Sequence, residues 1–170
     1  MATVEEICEQ WQDVRNGLIK EIELIPEEQF EFRAAPETRS VREVVHHIIE
    51  SERVLVGEIC RDNTNFKRGF PAMIAEFAGD VKQATTKEAV LELLRSSITE
   101  TLEKARGFGD ANLATMMTRF DGREQPKYLM LTFTISHEMY HRGQLTVYQR
   151  LLGIEPALTQ VFRKLTGATN

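Results

Sequence analysis

Four histidines, His46, His47, His137 and His141, are all the imidazoles this 170-residue chain carries, and they fall in two short stretches. His137 and His141 stand four residues apart, a spacing that on a helix puts both rings on one face with Cβ atoms roughly 5 to 6 Å apart. Two imidazoles so placed can occupy neighbouring positions on one metal ion. Buried without a metal they would be costly, because each ring has a donor and an acceptor that apolar neighbours leave unpaired. A third imidazole from the other stretch would complete a three-nitrogen site with an open position for water or substrate, the pattern of catalytic rather than structural zinc. Three neutral ligands leave a divalent ion its full charge, which suits polarising a bound water, thiol or carbonyl oxygen. His47 lies between Val44 and Ile48, close to an apolar stripe, whereas His46 is expected at the surface or rim. Spacing alone leaves open which of this adjacent pair is used.

Other groups near the histidines have two readings each. Glu43, one turn before His47, Glu50, nearly one turn after it, and Glu138, beside His137, could accept a ring N–H or carry a proton; otherwise each is an exposed helix charge. Arg142 either pairs with a helix carboxylate or binds an anionic substrate. Gly143, mid-helix, costs about 1 kcal/mol relative to alanine. Close backbone approach to another helix would account for it, as would simple tolerance. The run His137 to His141, HEMYH, also satisfies the HExxH pattern of zinc proteases, two ligands with a general-base glutamate. That reading needs Glu155 as third ligand, since no histidine follows His141, and it lacks an upstream edge strand to hold a peptide. It is the weaker alternative.

The elements that must position these groups are helices. Val4, Ile7, Trp11, Val14, Leu18, Ile22 and Ile25 recur at steps of three and four, one face of a first helix that Pro26 ends. Ser40 opens a second helix over about 40–60 as N-cap, with Glu43 completing a capping box. Phe70 to Phe77 forms a short helix started by Pro71 and stopped by Gly79, a lid or a packing spacer. Thr85 with Glu88 is read as a second capping box, and the stripe from Val90 to Ala105 carries a third long helix to Gly107. The Gly-, Asp- and Asn-punctuated stretch that follows reads as a long crossover. A fourth helix runs from near Pro126 to Leu152, and one short turn is expected over 156–164. With no alternating strand pattern, this is an all-α four-helix bundle with a short extra helix in a connection.

Composition narrows the function classes. Lys plus Arg number 21 against 26 Asp plus Glu, a net charge of −5, which argues against a general affinity for nucleic-acid backbones. At 42% hydrophobic and 28% charged residues, with no linker or repeat, the chain reads as one globular domain over residues 1–170. Cys8 and Cys60 have neither disulfide-framework nor metal-type spacing and are expected as small hydrophobes in a reducing compartment. The opening MATVEEICEQ lacks the basic region of a signal peptide, and the uncharged run from Tyr128 to His137 is half a membrane span. The expected location is cytoplasmic, with no membrane partner.

Two segments resemble a known family. SHEMYHRGQLTVYQRLLG, Ser136 to Gly153, is similar to the last-helix signature of the DinB/YfiT-like family of metal-dependent proteins, in which a histidine, three residues and HRGQ precede an aromatic, an arginine and a glycine. IPEEQFEFRAAPETRSVREVVHHIIESE, from Ile25, resembles that family's run into a serine-capped second helix with a histidine about seven residues in, a position that matches His47. The resemblance implies an up-down-down-up bundle, a divalent ion held by His47, His137 and His141, and homodimers. It departs at Arg39, where the family often has tryptophan, and at His46, where an aromatic or small residue is common; neither removes a ligand. Relatives resemble thiol S-transferases and isomerases that use low-molecular-weight thiols such as bacillithiol or mycothiol. The expected function is therefore activation of a thiol or water at the three-histidine site, for transfer or hydrolysis on a small-molecule substrate. Zinc is the first choice of metal and nickel the next, with iron and manganese behind them. The alternative of a different class is a non-catalytic metal-binding stress or interaction protein whose ion ties the second helix to the fourth.

Overall fold

Capping chemistry decides where the long helices begin. The computed structural model describes residues 2–167. In it α1 (Val4–Leu24) opens with Thr3 and Glu6 in a reciprocal capping box and stops at Ile25, ahead of Pro26. Helix α2 (Val41–Ile59) opens as expected on Ser40 and Glu43. Helix α3 (Phe70–Phe77) is the expected short element, entered through Gly69 at φ 83°. Helix α4 (Lys87–Phe108) is capped by Thr86, one residue later than expected, its hydroxyl accepting from the Ala89 amide. The Thr85 carbonyl is instead taken by the Arg42 guanidinium at 2.8 Å, and Glu88 falls one position short of closing a capping box.

The crossover contains more order than punctuation alone implied. A four-residue helix, α5 (Asp110–Leu113), leads into a small antiparallel hairpin of β1 (Met116–Thr118) and β2 (Glu124–Pro126), paired Met116 to Pro126. Three residues per strand are too few to display a period, so the hairpin was invisible to a pattern search. Helix α6 (Lys127–Leu151) and a terminal α7 (Ala157–Thr166) complete the chain.

Side-chain bonds between helix ends fix the topology. Arg106, near the end of α4, pairs with Glu5 at the start of α1, and Lys87 at the other end of α4 reaches the Ile25 carbonyl, so α1 and α4 are antiparallel. Lys127 donates to the Ile59 carbonyl and Tyr148 to that of Arg39, so α2 and α6 are antiparallel too. Trp11 with Glu138 and Glu21 with Gln149 show α1 parallel to α6, while Arg42 with Thr85 and Arg53 with Glu100 show α2 parallel to α4. The bundle is thus up-down-down-up, with α2 packed against α6 and α4 and diagonal to α1. The two histidine-bearing helices are neighbours. No described helix is long and apolar enough to cross a membrane.

Apolar residues bury in two clusters, one around Trp11, Val54, Ile98 and Met130, the other around Leu18, Ile48, Leu94 and Leu145. A polar layer lies among them, to which each long helix contributes one residue: Arg15, Glu52, Ser97 and Glu138, all almost fully buried. Arg15 donates to Glu138 at 2.7 Å, Glu52 at 2.6 Å, Ser97 at 3.1 Å and the Leu94 carbonyl at 2.8 Å. Trp11 adds an indole N–H to Glu138 at 2.9 Å. A buried guanidinium is tolerated only when its donors are matched in this way.

Candidate metal centre

Rotation of α6 is set from the core side. With Glu138 drawn toward Arg15 and Trp11 on α1, the residues beside it, His137 and His141, turn toward α2, where His47 lies one turn beyond Glu43. Ring centroids are 5.0 Å apart for His47 and His137, 4.7 Å for His47 and His141, and 4.4 Å for His137 and His141. One ring nitrogen from each lies within 4.8 Å of the other two. The Nε2 atoms of His137 and His141 are 3.1 Å apart.

Protonation favours a cation here. Burial, then the charge of Arg39 and of the neighbouring rings, holds His47 down at about 4, against an ordinary imidazole near 6.5. Burial followed by the charge of His141 holds His137 at about 4, and burial likewise lowers His141. All three are neutral at pH 7, the state in which imidazole is a ligand. Gln144 Oε1, 2.7 Å from His141 Nδ1, can only accept, so Nδ1 carries the proton and Nε2 presents its lone pair to the cluster. Three neutral nitrogen donors, one with its tautomer fixed from outside the ring, suit zinc, nickel and related divalent ions.

The other candidate residues go elsewhere. His46 is buried rather than at the rim: its Nε2–H donates to the Ala84 carbonyl at 2.9 Å, which satisfies a core ring and keeps it off the trio. Glu138 spends both carboxylate oxygens on Arg15 and Trp11 in the core. The HExxH arrangement therefore lacks a base facing its histidines, and Glu155 pairs with Arg163 at 2.8 Å outside the group. Glu43 is engaged by the Ser40 amide and Arg33. Arg142 points at Glu21, a buried carboxylate on α1 that also accepts from the Ala157 and Leu158 amides and so caps α7. Close approach is found not at Gly143, where a Cβ would meet nothing within 4 Å, but at Gly17, where it would lie 2.3 Å from the Arg142 guanidinium.

Glu50 is the carboxylate candidate at the site with an oxygen left without a hydrogen-bond partner. It lines, with His47, Arg39, Arg42 and Lys82, a cavity of about 490 Å³ on the α2 side; Glu43 lines the same cavity but is held by Arg33 and the Ser40 amide. Glu50 is 9% exposed, and the unpartnered oxygen is its Oε1. Two participants escaped sequence reasoning. Gln144 was visible only as part of a motif, and Arg39 only as a departure from one.

Comparison with known proteins places this chain in a family. The DinB family model matches residues 1–170, and the chain belongs to that family. No curated protein matches it. Among solved structures, a DinB-like protein from Bacillus cereus ATCC 10987 superposes with a TM-score of 0.69 at 22% identity, covering 91% of this chain and 95% of that one. A DinB-like protein (YjoA) from Bacillus subtilis gives 0.67 at 21% identity, covering 87% and 92%. At that identity the likeness is one of fold.

Proposed function

We propose that this chain is a cytoplasmic, divalent-metal-dependent enzyme of small-molecule thiol transfer or hydrolysis, with His47, His137 and His141 as ligands, zinc the first choice of ion and nickel the next. The observation that carries the proposal is the meeting of three neutral ring nitrogens within 4.8 Å, from two helices joined by no local sequence constraint. When bound, the ion supplies Lewis acidity, lowering the pKa of a thiol or water presented to it. The chain's own groups supply the rest. Burial leaves the rings no protons to shed at neutral pH, Gln144 orients His141, and Glu50 stands on the cavity wall as the proton acceptor nearest His47 in sequence.

Elemental analysis of protein purified without a polyhistidine tag tests the ligand set: stoichiometric metal is expected in wild type and its loss in His47→Ala. A variant that kept its metal would overturn the assignment. A thiol-conjugation and hydrolysis screen, run on metal-replete and chelated protein, tests the chemistry. Metal without turnover, and unfolding on chelation, would instead favour the non-catalytic role of tying α2 to α6.

A further inference from the structure

Arginines crowd the approach to the trio, and all but one are spoken for. Arg33 holds Glu43 at 2.7 Å and the Thr38 carbonyl. Arg42 holds Glu31 at 2.5 Å and the Thr85 carbonyl. The Arg39 guanidinium has neither a hydrogen bond nor an ion pair among the described residues; only its backbone carbonyl is used, by Tyr148. It lines both the cavity that holds His47 and Glu50 and the neighbouring one that holds Gln144. It therefore borders both the cavity of the α2 imidazole and that of the residue that orients the imidazole of α6.

A guanidinium does not deprotonate, so at this place it permanently opposes a cation on the histidines. An anion lying between the two removes that repulsion. The charged residues lining the His47 cavity are Arg39, Arg42 and Lys82 against Glu43 and Glu50, one positive charge in excess. On the same cavity Glu50 Oε1, ion-paired to Lys82 at 3.9 Å, has no hydrogen bond and can accept an N–H or S–H.

We infer that Arg39 selects a small monoanionic substrate, a thiol bearing one carboxylate, by holding the carboxylate while the sulfur faces the three histidines. The inference rests on the metal reading above. It assigns a specificity role to the residue that departs from the family pattern.

Cobalt-loaded, full-length protein tests it. Titration followed in the visible cobalt spectrum compares 3-mercaptopropionate with the uncharged 3-mercaptopropan-1-ol. The acid is expected to bind about tenfold tighter, the worth of one charge-assisted contact. Arg39→Met is expected to erase that preference while binding cobalt alone as tightly as wild type or tighter, a pair of opposite effects that a structural role would not produce. Arg123→Gln, the same charge change in the hairpin, should keep the preference. Equal affinities in wild type, or a preference that survives Arg39→Met, overturns the inference and leaves the metal reading standing. Absence of any cobalt spectrum in wild type overturns both.

Discussion

At the scale of single residues, the site works by keeping protons away. His47 and His137 are held at about 4 and His141 is lowered as well, all chiefly by burial. The unfolded chain binds protons on His47 and His137 as pH falls through 6.5, while the folded one does not until about 4, and the lowered His141 acts in the same sense, so ν_U exceeds ν_N in that window. Stability of the metal-free protein is therefore expected to be full above pH 6.5 and to decline from there toward 4. Urea titrations at stepped pH should show this slope, and show it shallower in His47→Asn. The Gln144 contact has a separable consequence. Gln144→Leu removes the acceptor that fixes the His141 tautomer, and metal affinity should fall roughly 10- to 100-fold, with helix content unchanged. Calorimetric metal titration measures it. Of these residues, spacing displayed His137 and His141 outright; His47 over His46 needed the family resemblance, because adjacent residues near an apolar stripe are separated only by what packs on them. Gln144 acts on His141 one turn back on the same helix, a pairing that spacing permits without singling out, and Arg39 lies ahead of α2, where helical periodicity has no bearing.

At the scale of elements, the polar layer holds the helices in rotation. A buried charge that loses its partner is destabilising by about 3–5 kcal/mol. Arg15→Met strands Glu52 and Glu138 together in the core, and a loss of that size is expected in chemical denaturation. Glu138→Gln keeps the Trp11 contact and should cost less, while loosening the metal site by freeing α6 to turn. Burial, the dominant influence, raises the Glu52 carboxyl against the charge of Arg15, and the charge of Glu138 adds to the rise. The helices themselves were legible from apolar steps of three and four, and Ser40 from its capping box. The layer was legible in principle: Arg15 falls in phase with Trp11, Leu18 and Ile22, and Glu52 with Ile48, Leu55 and Ile59. A charge in register with an apolar stripe marks a buried ion pair, but not its partner. The Thr86 cap turned on a tertiary bond, that from Arg42 to the Thr85 carbonyl, and the hairpin's strands are too short to show a period, so neither could be read locally.

At the scale of the whole molecule, α6 carries a second, outward stripe. Leu129, Phe133, Tyr140, Val147 and Leu151 are all exposed, with Ser136 and the uncrowded Gly143 in phase among them. Leu158, Val161, Phe162 and Leu165 of α7 are exposed as well. Apolar surface of this extent is costly in water, and a second copy of the chain, docked along α6, is our proposed cover. Sedimentation of the wild type should give a dimer and Val147→Glu a folded monomer. The order of the chain has its own bearing on the histidines. His47 and His137 are ninety residues apart, on helices that meet only after two intervening crossovers are laid down. Closing so long a loop is slow, and nothing local rewards it beforehand. A fragment ending before α6 therefore has no three-histidine centre to load, and on the metal reading proposed above a nascent chain would acquire its ion last. Bound metal becomes a certificate of completed synthesis: cobalt colour and helical circular dichroism should vanish together on denaturation, never one ahead of the other.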